Sequence, residues 1–374
     1  MKHRRFLKLV LSGTTVLSLL CGPALANPSI LFDLDNGAVL EHQDAFQRWY
    51  PASLSKLMTA YVAFRAVAAG EVRLDSPIKM TRHAAKEPPS KMGFKAGTVM
   101  RLDAALEMML VKSANDLAMA IGENIGGSQA AFSRRMNAEA ARLGMSGTHF
   151  VNPNGLFSPE QYTTARDLAI LVTAIRKDFP QYESMFEIEG LQLGKRKISN
   201  YNLLIGRYAG ADGMKTGFVC ESGFNMIGSA TRNGRTLVAI VLGEQSAISR
   251  AEAAADLLDQ GFALPAGPRL ISLATLKPSG DVLATHNMRE EICSKKPASE
   301  QSEAAAEPKK DAPKSLYQIK LDHPHLVAVS LGGATGPVPP AMRNRVEYAD
   351  VPLPTWRPDQ PLPSGSKAVA AGDL

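Results

Sequence analysis

Cysteine is scarce: the 374 residues hold three, at positions 21, 220 and 293. The seven histidines are scattered, and the one close pair, His323 and His325, is split by Pro324. No metal-ligand spacing results, and no cofactor is expected. Apolar runs are short of the ~20 residues needed to span a bilayer, which excludes a polytopic membrane chain. Acids are missing altogether from the first 26 residues, which carry Lys2, Arg4, Arg5 and Lys8. Outside that segment, 38 basic residues face 36 acidic ones. The formal charge of +6 is therefore local, and nucleic acid drops out as an expected partner. What remains is 45% apolar and 21% charged, an ordinary globular composition with room for one large domain and something smaller.

The acid-free start has the layout of an export signal. A basic stretch over residues 1–8 leads into a mostly apolar one over 6–20, and Ala24-Leu25-Ala26 gives a small-x-small cleavage site. Cleavage after Ala26 is expected, placing the protein in the periplasm or cell-envelope space. Only Cys220 and Cys293 then survive. They either pair in an oxidising compartment, or one is buried and the other exposed; their separation in sequence does not choose.

Composition divides the rest. Residues from 266 onward hold 14 of the 24 prolines, and 295–314 and 351–374 have disorder-like composition. Residues 317–331 alternate enough to suggest a short strand. The last stretch has too many prolines for a basic amphipathic helix, so no strong C-terminal membrane anchor is expected. The expected organisation is a signal over 1–26, a body over 27–265, and a Pro-rich, largely disordered region over 266–374.

The body reads as α+β. Asp35-Asn36-Gly37 and Asn233-Gly234 each sit between apolar runs, a hairpin signal at both ends of the body. Helical spacing fills the middle, over 53–69, 102–110, 115–125, 128–143 and 165–176, and returns at 250–260. Strands at both ends with helices between imply an antiparallel sheet built from the chain ends, packed against a helical cluster.

Three short motifs occur in order. In Ser53-Leu54-Ser55-Lys56, hydroxyl and amine three residues apart share a helix face, so a neutral lysine can take the proton of an attacking serine. Free lysine titrates near ~10.4, so Lys56 serves as a base only if burial and neighbouring cations lower that value. Lys215, and Lys112 beside Ser113, are the expected cations. Ser113-Ala114-Asn115 falls between two helical stretches, where each residue alone would read as a cap. Lys215-Thr216-Gly217 opens a strand; the cation and hydroxyl suit a carboxylate, and Gly217 leaves room for close backbone approach. Each motif alone is common. The trio in this order is the signature of serine β-lactamases and penicillin-binding proteins.

On these residues the chain resembles the serine-type D-alanyl-D-alanine carboxypeptidases, the low-molecular-mass penicillin-binding proteins. The likeness extends through Asn152-Pro153-Asn154-Gly155-Leu156, Thr164-Ala165-Arg166-Asp167-Leu168 and Asp212-Gly213-Met214, and covers about residues 27–265. It implies a β-lactamase/transpeptidase-like fold, with a five-stranded antiparallel sheet beside an all-helical subdomain. It also implies that Ser53 is acylated, Lys56 is its base, Ser113 relays protons and Asn115 holds the peptide amide. Lys215 and Thr216 would bind the terminal carboxylate beside Gly217, and the N–H groups of Ser53 and Phe218 would form the oxyanion hole. Phe218 stands where many relatives have His or Tyr. Arg250 falls where relatives carry an arginine near the substrate carboxylate. The implied partners are peptidoglycan pentapeptides and inhibitory β-lactams. The alternatives are a DD-endopeptidase or β-lactamase of the same fold, and a non-catalytic murein-binding protein. Residues 152–176 hold no Glu-x-x-Leu-Asn stretch of the kind that activates a deacylating water in class A β-lactamases.

Overall fold

The protein is described by a computed structural model covering residues 27–267, 269–278, 282–294, 315–319 and 321–343. The expected export signal and the stretches 295–314 and 351–374 lie outside these residues. The chain begins with β1 (Ser29–Asp33) and β2 (Val39–Gln43), followed by α1 (Ser55–Ala68), β3 (Pro77–Lys79), α2 (Arg82–Lys86) and β4 (Val99–Arg101). Helices α3 (Leu102–Val111), α4 (Asn115–Gly126), α5 (Gln129–Leu143) and α6 (Ala165–Asp178) come next. After β5 (Gly190–Leu193) and β6 (Arg196–Ser199) come the long strands β7 (Ala211–Val219), β8 (Gly223–Arg232) and β9 (Arg235–Glu244). Helices α7 (Ala247–Ala263) and α8 (Arg289–Cys293) and strand β10 (Leu326–Val329) close the described chain.

The central sheet runs β2-β1-β9-β8-β7, antiparallel throughout, so the two ends of the body interleave as the hairpin signals imply. Both signals form tight turns: Gly37, Asn233 and Gly234 all take positive φ. Strand residues alternate between two cores. Ile30, Phe32, Val238, Ile240 and Leu242 face the helical cluster, whereas Leu31, Leu237, Ala239 and Val241 face α7. Burial on both faces explains why these strands read as nearly continuous apolar runs.

Helix ends follow from side-chain chemistry. Thr164 Oγ1 and Ser128 Oγ accept the N–H groups of Asp167 and Ala131, and Gly127 and Gly144 close α4 and α5 at positive φ. Helix α7 differs from expectation at both ends. Ser246 and Ser249 cap it reciprocally, so it starts at Ala247. It also runs through Gly261, where a Cβ would lie 2.7 Å from Leu237 Cδ1. That glycine permits close helix–sheet packing and does not end the helix.

The described parts of the Pro-rich region lie against the body. Ile271 O accepts from Val39 N–H, β10 pairs in parallel with β5, and Gly332 N–H reaches Val99 O near the helical cluster. Cys220 and Cys293 form a disulfide, resolving the choice left open by the sequence. It joins α8 to the β7–β8 turn, where Arg289 also pairs with the buried Glu221 at 2.6 Å. The bond closes a loop with a sequence separation of 73 residues. Loop entropy of that size corresponds to about 4 kcal/mol. Cys293→Ser should therefore lower the urea midpoint, and an unchanged midpoint would show that the bond does not support the fold.

Glu107 on α3 carries a pH dependence. Its carboxyl is pushed up to about 7, first by burial and then by the charge of Asp103, with Arg101 opposing. A carboxyl raised on folding contributes stability that is complete below its unfolded pKa and lost as pH rises through the folded value. Glu107→Gln should raise the melting temperature relative to wild type at pH 8 and not at pH 4. An equal gain at both values would reject the argument.

Candidate active site

The turn into α1 delivers the first motif. Pro51 starts a short 3-10 turn over Ala52–Leu54 that runs directly into α1, so Ser53 lies at the positive end of a helix. Ala52 is held at φ +48, an unfavourable conformation for a residue with a Cβ. Two glycines enclose this turn. A Cβ on Gly217 would come within 3.0 Å of Pro51 O and Ser53 N, and one on Gly155 would fall 1.8 Å from Ala52 O. The room left by Gly217 is thus used by the chain's own backbone. Asn225 on β8 anchors the same segment, donating to Tyr50 O at 3.0 Å while its Oδ1 accepts from Gly243 N–H.

One helical turn later, Lys56 is wholly buried. Its Nζ lies 2.8 Å from Ser53 Oγ, 2.8 Å from Asn115 Oδ1 and 2.6 Å from Asn154 O. These three contacts match the three protons of an ammonium group. In the neutral amine the Ser53 contact can reverse, the hydroxyl becoming donor.

Asn115 arrives at the first turn of α4 with its amide orientation set, because Nδ2 donates to Pro88 O at 3.0 Å. Its own N–H bonds Ser90 O, and the next residue, Asp116, accepts the N–H groups of Met92 and Gly93. Ser113, between α3 and α4, is held at φ +58. Ala52, which precedes Ser53, and Ser113 are thus both non-glycine residues in left-handed conformation, the kind of local strain that collects at functional sites.

Strand β7 is an edge of the sheet and supplies the third motif. Lys215 Nζ donates to Ser113 Oγ at 2.9 Å and to Thr216 O at 2.9 Å; both residues are buried. Phe218 packs its ring against Phe224, with centroids 4.3 Å apart. Arg250 is buried in the second turn of α7 and donates to the carbonyls of Gly217 and Asn225. It therefore touches the motif strand itself. Lys112 donates from Nζ to Tyr201 OH at 2.6 Å, and the amine lies 4.6 Å from that ring's centroid.

The structure thus brings Ser53, Lys56 and Asn115 into one bonded cluster and Ser113, Lys215 and Thr216 into another, joined through the short segment 113–115. Sequence reasoning passed over Asn225, Tyr201 and Glu87, whose carboxylate accepts from Asn154 Nδ2 at 2.9 Å. Asn225 leaves a trace, a polar residue in an otherwise apolar strand that must find partners when buried. Tyr201 and Glu87 leave none.

A helical cluster facing the edge strand of an antiparallel sheet, with a Ser–Lys pair between them, defines a penicillin-binding-protein-type fold. Residues 23–246 match the Peptidase S11 family, described as D-alanyl-D-alanine carboxypeptidase, and the chain belongs to that family. D-alanyl-D-alanine carboxypeptidase DacA of Haemophilus influenzae is 33% identical over 243 residues, 64% of this chain and 62% of that protein. The chain thus spans about three fifths of that relative's length. The crystal structure of the D-alanyl-D-alanine carboxypeptidase DacD from Francisella tularensis aligns with a TM-score of 0.62 at 29% identity, covering 64% of this chain and 70% of that one. Penicillin-binding protein D2 from Listeria monocytogenes, in its ampicillin-bound form, aligns with a TM-score of 0.58 at 32% identity, covering 63% and 97%.

The glycines around Ser53 give a steric prediction. Gly155→Ala places a methyl into the Ala52 carbonyl and should destabilise by about 1–3 kcal/mol beyond its conformational cost. Gly70, at φ +72 with open space around it, is the control. Gly70→Ala should lose only the conformational ~1–2 kcal/mol. Equal losses by urea denaturation would contradict the close approach at Ser53.

Proposed function

We propose that the chain is a serine DD-carboxypeptidase that removes the terminal D-alanine from peptidoglycan stem peptides and is acylated by β-lactams. The observation that carries this reading is the 2.8 Å contact between Ser53 Oγ and the amine of a fully buried lysine, beside an edge strand bearing Lys215, Thr216 and Gly217. Burial disfavours the charged form of an amine, which favours Lys56 as proton acceptor. Ser53 attacks the carbonyl of the D-Ala-D-Ala bond while Lys56 takes its proton. The N–H groups of Ser53 and Phe218 stabilise the tetrahedral oxyanion, aided by the helix end at Ser53. Lys215 and Thr216 receive the substrate's terminal carboxylate, and Arg250, bonded to Gly217 O, supports that strand from behind. Asn115 holds the peptide amide. Ser113, bonded to Lys215, relays a proton to the departing D-alanine, and water then releases the shortened peptide.

The catalytic unit in this reading spans 27–265, and residues 1–26 direct it to the cell envelope, where its substrate lies. Among the described residues no helix is long and apolar enough to cross a membrane.

Mass spectrometry after incubation with benzylpenicillin should find one adduct, on Ser53. Ser53→Ala should fold normally and remain unlabelled. Lys56→Ala should slow both acylation and D-alanine release from a pentapeptide by about 10²–10⁴-fold. An adduct elsewhere, or no D-alanine release by a labelled enzyme, would overturn the assignment. Rapid turnover of a chromogenic cephalosporin would make the chain a β-lactamase instead.

A further inference from the structure

Glu87 lies just beyond α2, in a proline-rich connection, yet its side chain is buried, with 7% of its surface exposed. Its Oε2 accepts from Asn154 Nδ2 at 2.9 Å. The opposite end of that amide, Oδ1, accepts the N–H of Leu156 at 3.1 Å, so the Asn154 side chain is tied at both ends. The backbone on either side is tied as well: Thr59 Oγ1 donates to Pro153 O, and Gly155 N–H to Asn152 Oδ1. The carbonyl of this immobilised Asn154 is the group that Lys56 meets at 2.6 Å. A single residue therefore separates a buried carboxylate from the buried amine.

The charged groups facing Glu87 come from several elements. His83 of α2 places Nε2 3.7 Å from its Oε1, and the Nδ1 of the same ring lies 3.0 Å from Glu123 Oε1 on α4. Lys91 donates to the Glu87 backbone carbonyl at 2.8 Å. Burial raises the Glu87 carboxyl above the ordinary range, against the lowering effects of His83, the Asn154 bond and Lys56, with Glu123 adding to the rise. The influence of Lys56 on this carboxylate has a reciprocal: an anion at 87 favours the protonated form of Lys56.

We propose that Glu87 is a positioning residue for the reaction: through the Asn154 amide it fixes the carbonyl that orients Lys56, and its charge sets how readily Lys56 exchanges its proton. The charge works in two directions. It stabilises the lysinium that forms as Ser53 loses its proton, which accelerates attack once the amine is neutral. It also keeps that amine protonated to higher pH, which confines attack to less acidic conditions. This inference rests on the reading of Ser53 and Lys56 as nucleophile and base.

The test is the pH profile of acylation by benzylpenicillin from pH 5 to 9, on the full chain, for wild type, Glu87→Gln and Glu87→Ala, with melting temperatures recorded alongside. Glutamine keeps an acceptor for Asn154 and removes the charge. Its acid limb should move to lower pH by about one unit, with a plateau within a few-fold of wild type. Alanine also frees the Asn154 amide, and its plateau should fall by about tenfold or more. An acid limb that stays in place in Glu87→Gln overturns the proposal, as does a loss of rate that is uniform across pH and tracks a lowered melting temperature. Unchanged acylation with slowed release of the adduct also overturns it, making Glu87 the base for the deacylating water. These failures differ from failure of the underlying assignment, in which wild type itself would not acylate at Ser53.

Discussion

Placing a lysine amine wholly inside the protein is the constraint that organises this site. A buried ammonium costs several kcal/mol unless its protons find acceptors, and here one acceptor lies a turn away and two come from distant pieces of chain. The 3-10 turn that leads into α1 contributes Ser53, the start of α4 contributes Asn115, and the loop before α6 contributes the carbonyl of Asn154. A shift of any of these three removes one of those contacts. The contacts that hold the amine against Ser53 Oγ are therefore also the ones that make its burial tolerable.

The surroundings read as means of holding that arrangement. Ala52 and Ser113 sit in left-handed conformations that cost on the order of 1–3 kcal/mol each. They persist because the backbone around them is bonded from outside, by Asn225 on one side and by the contacts of Ser90 and Asp116 on the other. Gly155 and Gly217 have the complementary task of letting two further backbone segments reach Ser53. The laminated core behind them, with β1 and β9 buried on both faces, supplies the rigidity against which such strain can be held.

Much of this was legible beforehand. Hairpins at Asn36-Gly37 and Asn233-Gly234 and helices with apolar spacing depend on local chemistry, and local chemistry is written in consecutive residues. Helix α7 shows the limit. Its apolar spacing covers only 250–260, whereas the Ser246 cap starts the helix at Ala247 and close contact with Leu237 and Leu31 carries it through Gly261. The bond from Lys112 to Tyr201, 89 residues further on, is likewise a pairing that no local window contains.

From the order of residues alone came the Ser53–Lys56 spacing, the three motifs in sequence, the α+β pattern and the presence of just two late cysteines. These are matters of type and interval, which folding does not alter. Only the tertiary structure decided that Cys220 bonds Cys293, that Arg250 is buried against Gly217, and that Glu87 stands one residue away from the Lys56 amine. An acid in a proline-rich loop is solvated or buried according to what packs over it, and here the covering groups come from α2, α4 and the loop 152–156. Long-range packing sets the dielectric and the partners of each charge, and no window of neighbouring residues contains that information.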